Sequence, residues 1–217
     1  MKQVAVILSG SGVFDGAELH EAVLTLLAIE QEGASYQCFA PDVEQLHVIN
    51  YLTGEVAEGE TRNVLVESAR IARGNIKPIA ECDVNAFDVL ILPGGFGAAK
   101  NLCTFAVDGK NCAFNEDVLN VCNAFARAKK PAAYACIAPA LAAKVYGNQT
   151  KMTIGNDKDT AEGLNALGAC HVDCAVDEVV VDNDAKLVTK PAYMMANSIS
   201  EAHASISKMV STVLAMK

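Results

Sequence analysis

The sequence predicts an α/β fold built on a mainly parallel sheet with helices on both faces. Three observations carry that prediction. Short continuous apolar runs at Val4 to Leu8, Val89 to Leu92 and Ala132 to Ala135 read as strands buried on both faces. Stretches with helical spacing separate them, joined by mostly short connections. Loops of glycine or small residues follow the strands, and sheets of this kind bind ligands outside the carboxyl ends of their strands.

In chain order, Val4 to Leu8 runs into Ser9-Gly10-Ser11-Gly12, a strand followed by a loop. Asp15-Gly16-Ala17-Glu18 opens a helix that Leu19, Val23, Leu26 and Leu27 carry to Gly33, a residue suited to a helix end. Ser35 to Ala40 is the second strand, closed by Pro41-Asp42, and Thr61 to Ala72 reads as helix. Val89 to Leu92 is the third parallel strand and ends in Pro93-Gly94-Gly95-Phe96-Gly97. Asn115 to Lys129 is a helix with Val118, Leu119, Cys122, Phe125 and Ala126 on its inner face. Ala132 to Ala135 is the fourth core strand, with Pro139 to Tyr146 as the helix behind it. Asp159-Thr160-Ala161-Glu162 looks like a helix start running to Leu167. Val179 to Thr189 reads as a hairpin turning at Asn183-Asp184, and Ser198 to Met216 as a final amphipathic helix.

Residues 1–217 read as a single domain, since no repeat, low-complexity stretch or linker interrupts them. An apolar fraction of 52% supplies a large core. A formal net charge of −9 without any sizeable Lys/Arg cluster argues against a nucleic-acid partner. No apolar run reaches the ~18 residues of a membrane span, and the apolar start is too short for a signal peptide, so a cytoplasmic protein with no membrane partner is expected. The eight cysteines (Cys38, Cys82, Cys103, Cys112, Cys122, Cys136, Cys170 and Cys174) contain no Cys-x-x-Cys and read as mostly free thiols. Cys170-His171-Val172-Asp173-Cys174 has metal-like content but reads as packing, so no metal and no cofactor is expected. Asn148-Gln149-Thr150 matches a glycosylation sequon that a cytoplasmic chain would not present for modification.

Cys136 stands apart from the other thiols. A strand leads directly into it and a Pro-containing helix start follows, which is the pattern of a nucleophile elbow. A sulfur at a helix N-terminus is also expected to favour the thiolate. Glu18, in the loop after the first strand, is the candidate carboxyl partner, able to donate to the sulfur and later to shuttle a proton. Gly94 and Gly95 present unobstructed N–H groups that, with the N–H of Ile137, form a candidate oxyanion hole. The glycine order lacks Gly-x-Gly-x-x-Gly, so dinucleotide binding is not expected. A third catalytic partner stays open among His20, His47, His171 and His203.

Val4 to Gly10, Asp15-Gly16-Ala17-Glu18, Leu92-Pro93-Gly94-Gly95 and Tyr134-Ala135-Cys136 resemble the ThiJ/PfpI superfamily. Cys38-Phe39-Ala40-Pro41-Asp42, Pro93 to Leu102, Cys136-Ile137-Ala138-Pro139-Ala140 and Thr189 to Met194 are similar to its ElbB group, the "isoprenoid biosynthesis" proteins. The resemblance implies a class I glutamine-amidotransferase-like domain with the flavodoxin-like three-layer sandwich, a homodimer, and a cysteine held by a glutamate, roles that fall on Cys136 and Glu18. It further implies a glutathione-independent glyoxalase-type activity on a small aldehyde. Amidotransferases pair their cysteine with a downstream His-x-Glu, to which His171-x-Asp173 is the nearest approximation, and PfpI-type proteases place histidine where Ile137 stands. A glyoxalase acting through a Cys136 hemithioacetal is the leading expectation. A redox-sensing thiol protein and a non-catalytic metabolite-binding module are the alternatives.

Overall fold

The computed structural model describes residues 1–147 and 149–217, so Asn148 of the sequon lies outside the described residues. The strands are β1 (Gln3–Ile7), β2 (Ser35–Ala40), β3 (Ile49–Asn50), β4 (Glu55–Val56), β5 (Ile76–Pro78), β6 (Val89–Leu92), β7 (Ala132–Ala135), β8 (Lys151–Met152), β9 (Cys170–His171), β10 (Val180–Asp182) and β11 (Leu187–Lys190). The helices are α1 (Leu19–Gln31), α2 (Val64–Ile71), α3 (Phe96–Lys100), α4 (Phe105–Asp108), α5 (Glu116–Arg127), α6 (Pro139–Tyr146), α7 (Lys158–Ala166) and α8 (Ile199–Ala215).

Seven strands form one sheet in the order β10-β11-β7-β6-β1-β2-β5, parallel throughout except for the β10–β11 hairpin at one edge. The pleat sends alternate residues to two cores. Val4, Val6, Val89, Ile91, Ala133 and Ala135 face the layer of α1 and α8, where Ala22, Leu26, Ile29, Ile206, Met209 and Val213 meet them. Ala5, Ile7, Leu90, Leu92, Ala132 and Tyr134 face the layer of α5 and α6, against Val118, Phe125, Ala140 and Leu141. This is the predicted three-layer α/β sandwich with a mostly parallel sheet.

The main elements fall where the sequence placed them, with differences at the ends. The helix expected from Thr61 begins at Val64, because the Asn63 side chain accepts the Val66 N–H and caps it there. On α5, Val121 joins the buried face while Leu119 and Ala126 are only half-buried. Edge strand β5, the short pair β3–β4 and strand β8 escaped the sequence reading; each strand is two or three residues long, and β5 carries a lysine and a proline. The second arm of the predicted hairpin, β11, lies inside the sheet beside β7. Among the described residues no helix is long and apolar enough to cross a membrane.

Candidate active site

Four adjacent strands, β11, β7, β6 and β1, end on one edge of the sheet, and the loop after each contributes to one site. The elbow follows β7. The Cys136 N–H donates to the Lys190 carbonyl at 2.9 Å, extending the β7–β11 ladder by one residue, and the Ala138 N–H then turns back to the Ala135 carbonyl at 2.9 Å. Between them Cys136 takes φ 57°. A left-handed non-glycine residue costs on the order of 1–3 kcal/mol and persists only where its surroundings over-determine it. The side chain is buried, and the N–H groups of Gly95 and Ile137 hydrogen-bond its sulfur.

Behind the sulfur stands Glu21, fully buried in the first turn of α1. Its Oε2 accepts the Gly94 N–H and its Oε1 the Tyr193 N–H, each at 2.9 Å, and its carboxyl hydrogen-bonds the Cys136 thiol. Burial pushes Glu21 up to about 7, with the Glu18 charge adding to the rise and the two N–H groups opposing it. Burial, and then the Glu21 charge, hold the Cys136 thiol well above its ordinary range. The two groups titrate as a pair: near neutral pH the thiol keeps its proton and Glu21 is close to half ionised.

This geometry corrects three expectations. Cys136 is not a ready thiolate, because desolvation and a neighbouring carboxyl outweigh the helix N-terminus. Glu18 is not the carboxyl against the sulfur. It caps α1 from an extended backbone, with Oε2 accepting the Glu21 N–H at 2.6 Å and Oε1 3.9 Å from His20 Nδ1, while Glu21, inside the helix, is the carboxyl that meets Cys136. The Gly94 N–H is taken by Glu21, which leaves Gly95 and Ile137 as the donors facing the sulfur. Gly94 serves by its missing side chain: a Cβ there would collide with the Cβ of Cys136 and lie 2.6 Å from Glu21 Oε2. Gly95 takes φ 98°, a conformation that favours glycine.

Cys136 opens on a cavity of about 180 Å³ lined by Val13, Glu18, Gly95, Phe96, Ile137, Thr160, Tyr193 and Met194. The lining is apolar apart from the Glu18 carboxyl, the Cys136 thiol and the two hydroxyls, and it includes no Lys, Arg or His among the described residues. The sequence reading assigned a role to neither Glu21 nor Thr160. Tyr193 and Met194 lay in a family-like segment that carried no assigned role.

The candidate histidines are dispersed. His20 Nδ1 lies 2.9 Å from the Tyr193 hydroxyl on the exposed side. His171 accepts the Ile154 N–H at 3.3 Å and sits 3.7 Å from Asp173; burial lowers it, and it does not line the cavity. His203 lies half-buried on α8, and His47 in the loop before β3. No group of three His, Cys, Asp or Glu able to hold a metal occurs among the described residues.

An elbow cysteine at the carboxyl edge of this sheet, backed by a buried glutamate, defines a class I glutamine-amidotransferase-like protein of the DJ-1/ThiJ/PfpI fold. The chain belongs to the family of the human glutamine amidotransferase-like class 1 domain-containing protein 3, mitochondrial, to which it is 48% identical over 221 residues, covering 98% of this chain and 82% of that protein. An isoprenoid biosynthesis protein with an amidotransferase-like domain from Ehrlichia chaffeensis matches at 36% identity and a TM-score of 0.90 over 98% of both chains. Glyoxalase III of Candida albicans shares the fold, with a TM-score of 0.62 at 14% identity over 99% of this chain and 97% of that one. No family model matches the chain.

The expectation of a cytoplasmic protein is corrected by the same comparison. The human relative and the rat and zebrafish ES1 proteins are mitochondrial by name, which points away from the cytoplasm.

Proposed function

We propose that the protein is a glutathione-independent glyoxalase-type enzyme that converts glyoxal or methylglyoxal to the 2-hydroxy acid. The observation that carries this reading is the Cys136–Glu21 pair at the wall of a small cavity without a cationic side chain. A carboxylate, a phosphate or zwitterionic glutamine would find no counter-charge there, whereas a small neutral carbonyl compound loses little on entering. The amidotransferase-like names of the relatives are therefore read as fold relationships. The ElbB-like motifs of the chain support the aldehyde reading, and the fold shared with the Candida glyoxalase III is compatible with it.

In this mechanism the Glu21 carboxylate takes the thiol proton as the sulfur attacks the aldehyde carbon, giving a hemithioacetal. The N–H groups of Gly95 and Ile137 stabilise the oxyanion. Glu18 moves the proton from the former aldehyde carbon to the adjacent carbonyl carbon, which yields the thioester of the 2-hydroxy acid. Water cleaves the thioester, releasing glycolate or lactate and returning the thiol. One carbon is oxidised as its neighbour is reduced, so the balance needs no external oxidant or reductant. The resemblance adds a homodimer to the reading. Leu19, Val23 and Leu27, exposed along one face of α1, offer an apolar stripe for a second copy.

The test is glycolate formation from glyoxal without glutathione, comparing the wild type with Cys136→Ser. Turnover abolished by the substitution supports the reading. Full activity in Cys136→Ser, or no turnover in either protein, overturns it.

A further inference from the structure

Between α3 and α5 the chain makes an excursion from Cys103 to Cys112 that keeps Phe105 in the α5–α6 core. The neck of this excursion is fastened. Cys103 pairs with Phe114 in an antiparallel bridge, the Thr104 N–H donates to the Ala113 carbonyl at 2.9 Å, the Ala113 N–H donates to Thr104 Oγ1 at 2.9 Å, and the Asn115 N–H donates to the Leu102 carbonyl at 2.9 Å. Held by that neck, the Cys103 and Cys112 thiols lie within reach of each other. Cys103 is buried and packs its sulfur 3.4 Å from the Ala98 carbonyl, whereas Cys112 is half-buried.

We infer that Cys103 and Cys112 form a reversible intramolecular disulfide, with a small-molecule disulfide such as oxidised glutathione as the oxidant. The Cys112 thiolate attacks one sulfur of the oxidant and expels one glutathione thiolate, leaving a mixed disulfide. Cys103, its proton passed to solvent, then attacks the Cys112 sulfur and expels the second glutathione. Two protein thiols are oxidised and one disulfide is reduced to two thiols. Burial pushes the Cys103 thiol up to about 12 and also raises Cys112, so the exchange is slow at neutral pH and quickens as pH rises. The bond would fix the excursion that supplies Phe105 and Ala106 to a recess shared with Phe96, Ile137 and Thr160, residues that also line the Cys136 cavity.

The test is incubation of the native protein with oxidised glutathione at mildly alkaline pH, followed by intact-mass and non-reducing tryptic mapping. Trypsin cuts after Lys100, Lys110 and Arg127, so the bond leaves peptides 101–110 and 111–127 joined, with the intact protein lighter by two hydrogens. The join is expected to vanish in Cys112→Ser and in Cys103→Ala and to survive in Cys122→Ser, which removes the other cysteine of the second peptide. Should Cys103→Ala fail to fold, the half-buried Cys112→Ser carries the same test. Separate peptides, glutathione retained on Cys112, a join that survives Cys112→Ser, or one that is lost in Cys122→Ser overturns the proposal.

Discussion

The carboxyl of Glu21 bonds the thiol of Cys136 while the N–H groups of Gly94 and Tyr193 grip its two oxygens at 2.9 Å each. A base held at both oxygens has little freedom to turn away from the sulfur. Glu21→Gln is expected to lower glyoxal turnover by roughly 10²–10⁴-fold, the usual contribution of a positioned proton acceptor. It should also change the pH profile of Cys136 alkylation. Glu18→Gln is expected to lower turnover while moving that alkylation profile less than Glu21→Gln does, because Glu18 acts on the sulfur only through the charge of Glu21. Steady-state kinetics and iodoacetamide labelling of the two variants separate the roles.

Glu21 also ties stability to pH. Its folded value of about 7 lies above the ordinary 4.5, so between these values the folded protein keeps a proton that the unfolded chain has released. The stability it contributes is full below pH 4.5 and is lost as pH rises through 7. The loss is roughly 3 kcal/mol from a shift of this size. Urea unfolding across that window should show the wild type losing stability relative to Glu21→Gln as pH rises.

Gly94→Ala tests the close approach of β6 to the elbow. The added methyl collides with the Cys136 Cβ and crowds Glu21 Oε2. A loss of about 1–3 kcal/mol in thermal or denaturant unfolding is expected for such overpacking, together with loss of turnover.

The raised Cys136 thiol sets the order of labelling. At neutral pH, half-buried Cys112 and Cys170 are expected to react with iodoacetamide before Cys136, whose own rate is expected to climb as pH rises. Peptide mapping over a pH series checks this. Cys136 reacting first at neutral pH would instead favour the redox-sensing alternative.

Tyr193 has two separable functions. Its N–H holds Glu21, and its hydroxyl meets His20 Nδ1 at 2.9 Å. Tyr193→Phe keeps the first and removes only the second. Stability is expected to change by less than about 1 kcal/mol for this exposed bond, and any loss of turnover then reports the hydroxyl itself, at His20 or at the cavity wall.

Much of the fold is legible in the sequence because buried parallel strands are written as short unbroken apolar runs. Val89 to Leu92 and Ala132 to Ala135 match β6 and β7 residue for residue. The elbow is legible for the same reason, since a strand, one cysteine and a proline-led helix leave few other conformations. Glu21 is not legible in this way. On the sequence it is one acidic residue in a helix already rich in apolar positions, and Glu18, next to the glycine turn, is the more conspicuous carboxyl. Thr160 and Met194 reach the cavity from elements distant in the chain, which no local pattern announces.

The sequence by itself determined the strand–helix alternation, the edge of the sheet where the loops gather and the cysteine that stands on it, because hydrophobic periodicity and turn chemistry are local properties. Only the tertiary structure decided which carboxyl meets the sulfur, which N–H groups face it, and that the thiol keeps its proton. Those outcomes depend on helix phase, on backbone donors from other strands and on desolvation, and all three exist only once β1, β6, β7 and β11 have packed side by side.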